Sequence, residues 1–447
     1  MRFDALYFLF FFAAVFGLSR FKVIAPAVYL LASVVFYVVA GWQDCLLIIS
    51  MILFNYAMSF GVLRHKLVLP CVVSANIGTL VFFKYRIFLD GIVLSQSIFT
   101  SDIIIPLGIS FYTFQMIAYQ VDVSRGVCQL IRSFPKFFLF IGFFPQLVAG
   151  PIVRANQMRT QIDRFFEKGV QKNTIISLGL GLILLGLIKK VMLSDSIAPL
   201  VDESFMSLPE TTAAAWQGAI LFGFQIYYDF SGYSDIALGL AYLLGFKLPI
   251  NFRQPYLAKN PQEFWQRWHI TLSTWIRDYL YIPLGGSRKG TRIRQVAVLL
   301  FVMGIMGLWH GANVTFLYWG FGWGLAIAVW RVFGAYLNKL PAVSWVFLMV
   351  ICLTLWVFFR APDANFALAY IQTMFSMNVG SLPLTFVVGL VFLSAFHVIE
   401  GRFYNQRGVR LMKKMNMPFF YGLFIGLCFF ILMLPKNLDN PFIYFRF

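Results

Sequence analysis

Along this 447-residue chain, apolar residues repeatedly run unbroken for a helix length, and polar residues collect between the runs. With about 20 apolar residues taken as one bilayer crossing, the candidate spans are 4–19, 23–41, 44–63, 67–84, 102–121, 136–153, 173–193, 213–230, 232–246, 295–310, 313–330, 343–359, 383–399 and 418–434. Several are short or interrupted by Gly and Pro. About eleven to thirteen full crossings are therefore expected, with the remainder re-entrant or interfacial. Re-entrant backbone must be sheltered by protein, which requires a packed bundle with an interior. A transmembrane barrel would instead show alternating segments of roughly 10 residues. The expected fold is all-α, a polytopic membrane helical bundle forming one domain over 1–447, with no repeat or low-complexity linker to divide it. The first run, Ala5 to Leu18, resembles a signal sequence. No small-x-small cleavage pattern precedes polar sequence, so it reads as a retained first helix.

Composition agrees with a lipid environment. Hydrophobic residues make up 60% and charged residues 12%, and mean hydropathy is +0.78. A soluble domain carries about 25% charged residues, so this chain places much of its surface in lipid. The net charge of +18 does not point to nucleic acid, because the basic residues sit between apolar spans. Residues 122–172 hold eight Lys/Arg against three acids, 247–294 nine against Glu263 and Asp278, and 400–414 five against one. The positive-inside rule puts these three loops in the cytoplasm, beside anionic lipid. The tail from Pro435 to Phe447 then emerges on the opposite face. Cys45, Cys71, Cys128, Cys352 and Cys428 show no paired spacing. They read as small core residues, and no Cys/His cluster suggests a metal.

Four stretches could carry chemistry. In Glu263-Phe-Trp-Gln-Arg-Trp-His-Ile-Thr-Leu-Ser-Thr-Trp-Ile-Arg-Asp-Tyr-Leu-Tyr-Ile-Pro-Leu-Gly-Gly286, helical spacing puts Trp265, Trp268, Leu272, Trp275, Ile276 and Tyr279 on one face, with His269 at its edge. The pattern predicts an amphipathic helix lying in the interface, its aromatic residues at headgroup depth. Arg267, Arg277, Arg288 and Lys289 could attract a phosphate-bearing cytosolic molecule, with Gly285-Gly286 allowing close backbone approach. A purely structural interfacial helix fits the same pattern. His310, in Gly307-Leu-Trp-His-Gly-Ala-Asn313, lies far from any basic loop. Ionisable residues at membrane depth are functional candidates, and a buried neutral imidazole is what a general base requires. A satisfied core histidine is the alternative. Trp309 and Asn313 flank it, and a helix broken by Gly311 at that depth would open a cavity. Asp229 and Asp235 are two acids in an apolar run and need partners, which the arginines of the amphipathic helix could supply. They read chiefly as buttresses. Finally, Asn440-Pro-Phe-Ile-Tyr-Phe-Arg-Phe447 is an aromatic tail whose rings favour docking over water.

Trp268-His269 leading to Ser273, Trp275 and Arg277-Asp278-Tyr279-Leu-Tyr-Ile-Pro-Leu-Gly-Gly286, followed by Trp309-His310-Gly311, resembles the membrane-bound O-acyltransferase superfamily. The similarity extends to Pro106-Leu-Gly-Ile-Ser-Phe-Tyr-Thr-Phe114, Phe143-Phe-Pro-Gln146, Gly150-Pro-Ile152 and Asp229-Phe-Ser-Gly-Tyr-Ser-Asp235. It is closest to the bacterial branch that includes alginate and peptidoglycan O-acetyltransferases. The resemblance implies a bundle around a central tunnel in the bacterial inner membrane. It implies His310 as catalytic histidine, His269 as a second signature position, and no resident cofactor, with acetyl-CoA as cytoplasmic donor substrate. Phe442-x-Tyr444-x-x-Phe447 resembles the tail motif of these transferases, in which the Tyr444 hydroxyl would carry the acyl group outward. A periplasmic SGNH or esterase-like transferase would then place it on a polysaccharide hydroxyl. D-alanyl transfer to teichoic acid and acylation of a lipid or protein are rivals of the same class. A polysaccharide or lipid flippase is a rival of another class, and it would need neither a deep histidine nor a docked tyrosine.

Overall fold

The computed structural model describes residues 6–89, 105–147, 150–170 and 176–404, with isolated positions between 418 and 429. Every regular element among them is helical. Seven helices are long and apolar enough to cross a membrane: Trp42–Val62, Val68–Arg86, Ile176–Ser204, Arg292–His310, Val314–Leu337, Pro341–Arg360 and Leu384–Tyr404. Shorter apolar helices cover Tyr7–Leu18, Ala25–Ala40 and Phe134–Leu147. The protein is a multi-pass membrane helical bundle.

The described residues group into two compact units, and the helices Ile176–Leu187 and Thr212–Leu243 each contribute to both. The first unit contains α1 (Leu6–Leu18), α2 (Ala25–Ala40), α3 (Trp42–Val62), α4 (Val68–Leu89), α5 (Ile109–Ser124), α6 (Phe134–Gly142), α7 (Phe144–Leu147), α8 (Ala155–Lys168) and most of α9 (Ile176–Leu187). The expected span 136–153 is instead two short helices separated at Phe143. In α8 the buried residues are Ala155, Met158, Ile162 and Phe165. That three-to-four spacing makes one apolar stripe, so the helix lies with one face packed and one polar.

The second unit holds a π-helical turn (Ile188–Ser194), α10 (Asp195–Ser204), the first part of α11 (Thr212–Leu243), α12 (Pro261–Arg267), α13 (Ile270–Ile276), a second π-helical turn (Arg277–Tyr281), α14 (Arg292–His310), α15 (Val314–Leu337), α16 (Pro341–Arg360), α17 (Ala364–Met374) and α18 (Leu384–Tyr404). The expected spans 213–230 and 232–246 are one continuous helix, α11. Nothing in Ser231-Gly232 breaks it, because a single glycine costs a helix only about 1 kcal/mol. α14 and α15 pack backbone to backbone. A Cβ on Gly307 would strike the carbonyl oxygen of Phe316, and one on Gly320 that of Met303. Small residues at such contacts let membrane helices approach closely.

The stretch 261–281 departs from the single interfacial helix its periodicity predicts. Asn260 caps α12 by accepting from Glu263 N at 2.8 Å, with Pro261 in the first turn. The helix stops at Trp268, and His269 takes the left-handed conformation, φ 40°. Trp265, Trp268, Leu272, Trp275 and Ile276 are all buried within the protein. Trp268 stacks on Phe264 at 5.7 Å and tilts against Trp356 at 4.9 Å.

Candidate active site

The second unit brings His269, Trp309, His310 and Asn313 together. His310 is the last residue of α14 and is 2% exposed. Its ring is walled edge to face by Trp309 at 4.9 Å, Trp319 at 4.9 Å and Phe359 at 5.2 Å. The helix ends there because Gly311 is extended and Asn313 starts α15 as its N-cap, accepting from Thr315 N at 3.0 Å. The Asn313 amide also donates to Pro362 O at 3.1 Å, which ties the break to the end of α16. Beside it lies a cavity of about 380 Å³. Gly311, Asn313, Thr315, Phe359, Arg360 and the buried Gln225 all line it. The Gln225 amide oxygen has no hydrogen-bond partner among the described residues. At the rim, Arg360 pairs with Asp202 at 2.7 Å.

His269 stands on the other side of Trp309, ring to ring at 6.1 Å, and is wholly buried. Its Nδ1 lies 3.1 Å from Asn251 Oδ1, which also accepts from Thr271 Oγ1 at 2.9 Å and Thr271 N at 3.3 Å. The backbone donor at Thr271 identifies that atom of Asn251 as oxygen, so Nδ1 of His269 must donate to it. Nε2 then carries the lone pair. Burial pushes this imidazole down to about 3, so it is neutral at physiological pH. A positive φ at a residue other than glycine costs of order 1–3 kcal/mol and tends to occur at functional sites. Here the Asn251 contact and the edge-on Phe230 ring at 4.7 Å hold it.

The cations named from sequence are held separately. Arg267 is clasped by Glu263, at 2.7 Å from Nη2 and 3.0 Å from Nε, and donates to Arg253 O at 3.3 Å. Arg277 pairs with Asp278 at 2.7 Å, and that hydrogen bond raises its already high pKa. Arg288 and Lys289 are exposed in the following turn, where Arg288 N donates to Gly285 O at 3.1 Å. Arg331, which the sequence reading did not single out, donates to the Tyr281 hydroxyl at 2.9 Å.

Asp229 pairs with a lysine. Lys190, in the first π-helical turn, reaches Asp229 at 2.6 Å and Asp195 at 2.7 Å. Lys190 and Asp229 lie on different helices, far apart in sequence, so the motif around Asp229 alone could not reveal the pair. The neighbouring Lys189 pairs with Glu400, and both are fully enclosed. Glu400 Oε1 also accepts from the Tyr227 hydroxyl at 2.6 Å and lies 2.8 Å from His397 Nδ1. Sequence reasoning missed this cluster, although two lysines inside an apolar span are themselves a signal. Asp235 is buried further along α11, in the first unit. Tyr444, Phe442 and Phe447 lie outside the described residues.

An imidazole beside a cavity, at a helix break inside an apolar bundle, is placed where a general base could take a proton from a hydroxyl that enters. Comparison with known proteins narrows the chemistry. Residues 129–360 match the membrane-bound O-acyltransferase family, and this range contains His269 and His310. The chain is 35% identical over 412 residues to the "Probable alginate O-acetylase AlgI" of Pseudomonas putida, covering 84% of this chain and 83% of that protein. It is 36% identical over 394 residues to the "Peptidoglycan O-acetyltransferase" of Helicobacter pylori, covering 79% and 74%. Similarity to the "Teichoic acid D-alanyltransferase" of Bacillus subtilis is 28% over 263 residues, 56% of this chain and 65% of that protein.

Proposed function

The chain belongs to the membrane-bound O-acyltransferase family, and from that premise we propose that it moves acetyl from cytoplasmic acetyl-CoA towards hydroxyls of an extracellular or cell-wall polysaccharide of the alginate or peptidoglycan kind. The observation that carries the reading is His310, enclosed at the end of α14 and next to the 380 Å³ cavity.

The donor approaches from the face that bears the basic loops, where Arg277, Arg288, Lys289 and Arg331 offer positive charge. A hydroxyl enters the cavity on the other side of the helix break, where the Gln225 amide orients it. His310 takes the hydroxyl proton as the oxygen attacks the thioester carbonyl. The C–S bond breaks, an ester forms, and the proton passes to the departing CoA thiolate. His269, neutral and fixed by Asn251, packs Trp309 against His310 from behind. The accepting hydroxyl is that of Tyr444, whose aryl ester a periplasmic esterase-like partner then transfers to sugar. Covalent relay divides one reaction across a membrane into two acyl transfers. The inner membrane, with the tail on its outer face, is the location that the charge asymmetry supports.

Acetyl is preferred to D-alanyl because the two O-acetylating relatives match at higher identity and over more of the chain than the D-alanyltransferase. The test is reconstituted protein given radiolabelled acetyl-CoA, with acyl-protein and CoA release followed together. Acetyl should be lost from CoA in the parent and retained in His310→Ala. D-alanyl transfer, or undiminished turnover in the variant, would refute the proposal.

A further inference from the structure

In the first unit a cavity of about 640 Å³ opens where α3, α5, α6 and α8 meet. Leu63, Val123, Leu130 and Ile162 supply an apolar side. The other side holds Arg132, Lys136 and Arg159 against the single carboxylate of Asp163. Asp163 accepts from Lys136 at 2.6 Å and lies 3.7 Å from Arg159 Nε, while Arg159 Nη1 donates to Gln129 O at 2.9 Å. Two cations are thus held in place, and one carboxylate cannot neutralise three. The guanidinium of Arg132 is exposed and makes no hydrogen bond or ion pair among the described residues.

Depth adds to this. Leu63 directly follows α3, a helix apolar enough to cross a membrane, so the cavity stands where that apolar run stops. That is the level of lipid headgroups. Basic pockets between membrane helices hold anionic headgroups by the same combination of charge and apolar surface, and a planar guanidinium matches the geometry of a phosphate.

We propose that this cavity binds an anionic phosphate group through Arg132, Lys136 and Arg159, and that its apolar side makes an acidic phospholipid the occupant. The assignment is independent of the acyl-transfer reading.

Delipidated full-length protein in detergent is titrated with phosphatidylglycerol, phosphatidylcholine, inorganic phosphate or CoA, and native mass spectrometry counts the bound molecules. Arg132→Gln is compared with the parent; its side chain is exposed, so the fold is not at stake. Phosphatidylglycerol should bind in preference to phosphatidylcholine and resist displacement by CoA. Arg132→Gln should weaken it roughly tenfold, the loss of one charge-assisted hydrogen bond. If CoA or inorganic phosphate binds instead, with the same sensitivity to Arg132, the phosphate site stands and its occupant is soluble. If no ligand responds to Arg132→Gln, or the two lipids bind equally, the proposal is overturned.

Discussion

Removing one partner from the Lys189–Glu400 pair gives the sharpest quantitative test of the second unit. Both side chains are 0% exposed, so neither charge can turn to solvent when its partner goes. Breaking a buried pair costs about 3–5 kcal/mol, because it strands an uncompensated charge. The surroundings decide where in that range each variant falls. Lys189→Met leaves the Glu400 carboxylate with the Tyr227 hydroxyl and His397, at 2.6 and 2.8 Å, and should cost about 3 kcal/mol. Glu400→Gln leaves the ammonium with the Tyr404 hydroxyl at 2.8 Å and should approach about 5 kcal/mol. The double variant removes both charges and should return to within about 2 kcal/mol of the parent, since isosteric replacement of a whole buried pair is often neutral. Equilibrium unfolding of all four proteins in mixed micelles, read by tryptophan fluorescence, closes the cycle. Additive losses in the double variant, or single variants within about 1 kcal/mol of the parent, would refute the reasoning.

Other outcomes follow from the same geometry. His269 is held near 3 in the folded protein, against about 6.5 unfolded. The unfolded chain therefore binds the extra proton between those values, and stability present above pH 6.5 is lost as pH falls, by roughly 1.4 kcal/mol per unit. Asn tolerates the left-handed backbone, so His269→Asn should flatten the fall in melting temperature from pH 7 to 5; an unchanged slope rules out this source. Tyr444→Phe keeps the ring and removes the hydroxyl, and should abolish transfer to polysaccharide at normal expression. Acetyl-tyrosine absent from the parent's C-terminal peptide would count against the relay. Arg277→Gln and Arg288→Gln should raise the apparent KM for acetyl-CoA several-fold with little change in kcat; the reverse pattern would make them structural. Gln225→Leu should increase the share of acetyl-CoA lost to water relative to acyl transfer, measured as CoA release per ester formed.

The architecture was legible because a bilayer leaves a long apolar run few alternatives, and the burial of His310 was legible because no basic loop comes near it. The stretch 261–281 was not. Its helical periodicity continues unbroken across Trp268 and His269, so spacing alone cannot reveal that the backbone turns there. That turn depends on Asn251 and Phe230, which are distant in sequence. The partners of Asp229 were misassigned for a related reason. Arginines crowd the motif that follows, whereas Lys190 lies in an apolar run on another helix, where no spacing rule links it to Asp229. Fusion of two expected spans into α11 shows the limit of treating each Gly in an apolar segment as a boundary.

That wider winding at Ile188–Ser194 also bears on how the gene can change length. A π-helical turn holds one more residue than the α-helix around it. Lys189 and Lys190, adjacent in sequence, point to different sides of the helix, one to Glu400 on α18 and the other to Asp229 on α11. An in-frame deletion of a single codon between 188 and 194 would let the segment relax to ordinary α-helix. Because the π turn absorbs its extra residue within one turn, the helix beyond would keep its register, but Lys189 and Lys190 could no longer both reach Glu400 and Asp229. An insertion has no further wide turn to absorb it and would rotate α10 by about 100° against the rest of the unit. Substitutions can be absorbed here one side chain at a time, but the number of residues cannot vary. In the exposed turn that follows, Met206 to Leu208, an added codon would rotate nothing that is packed.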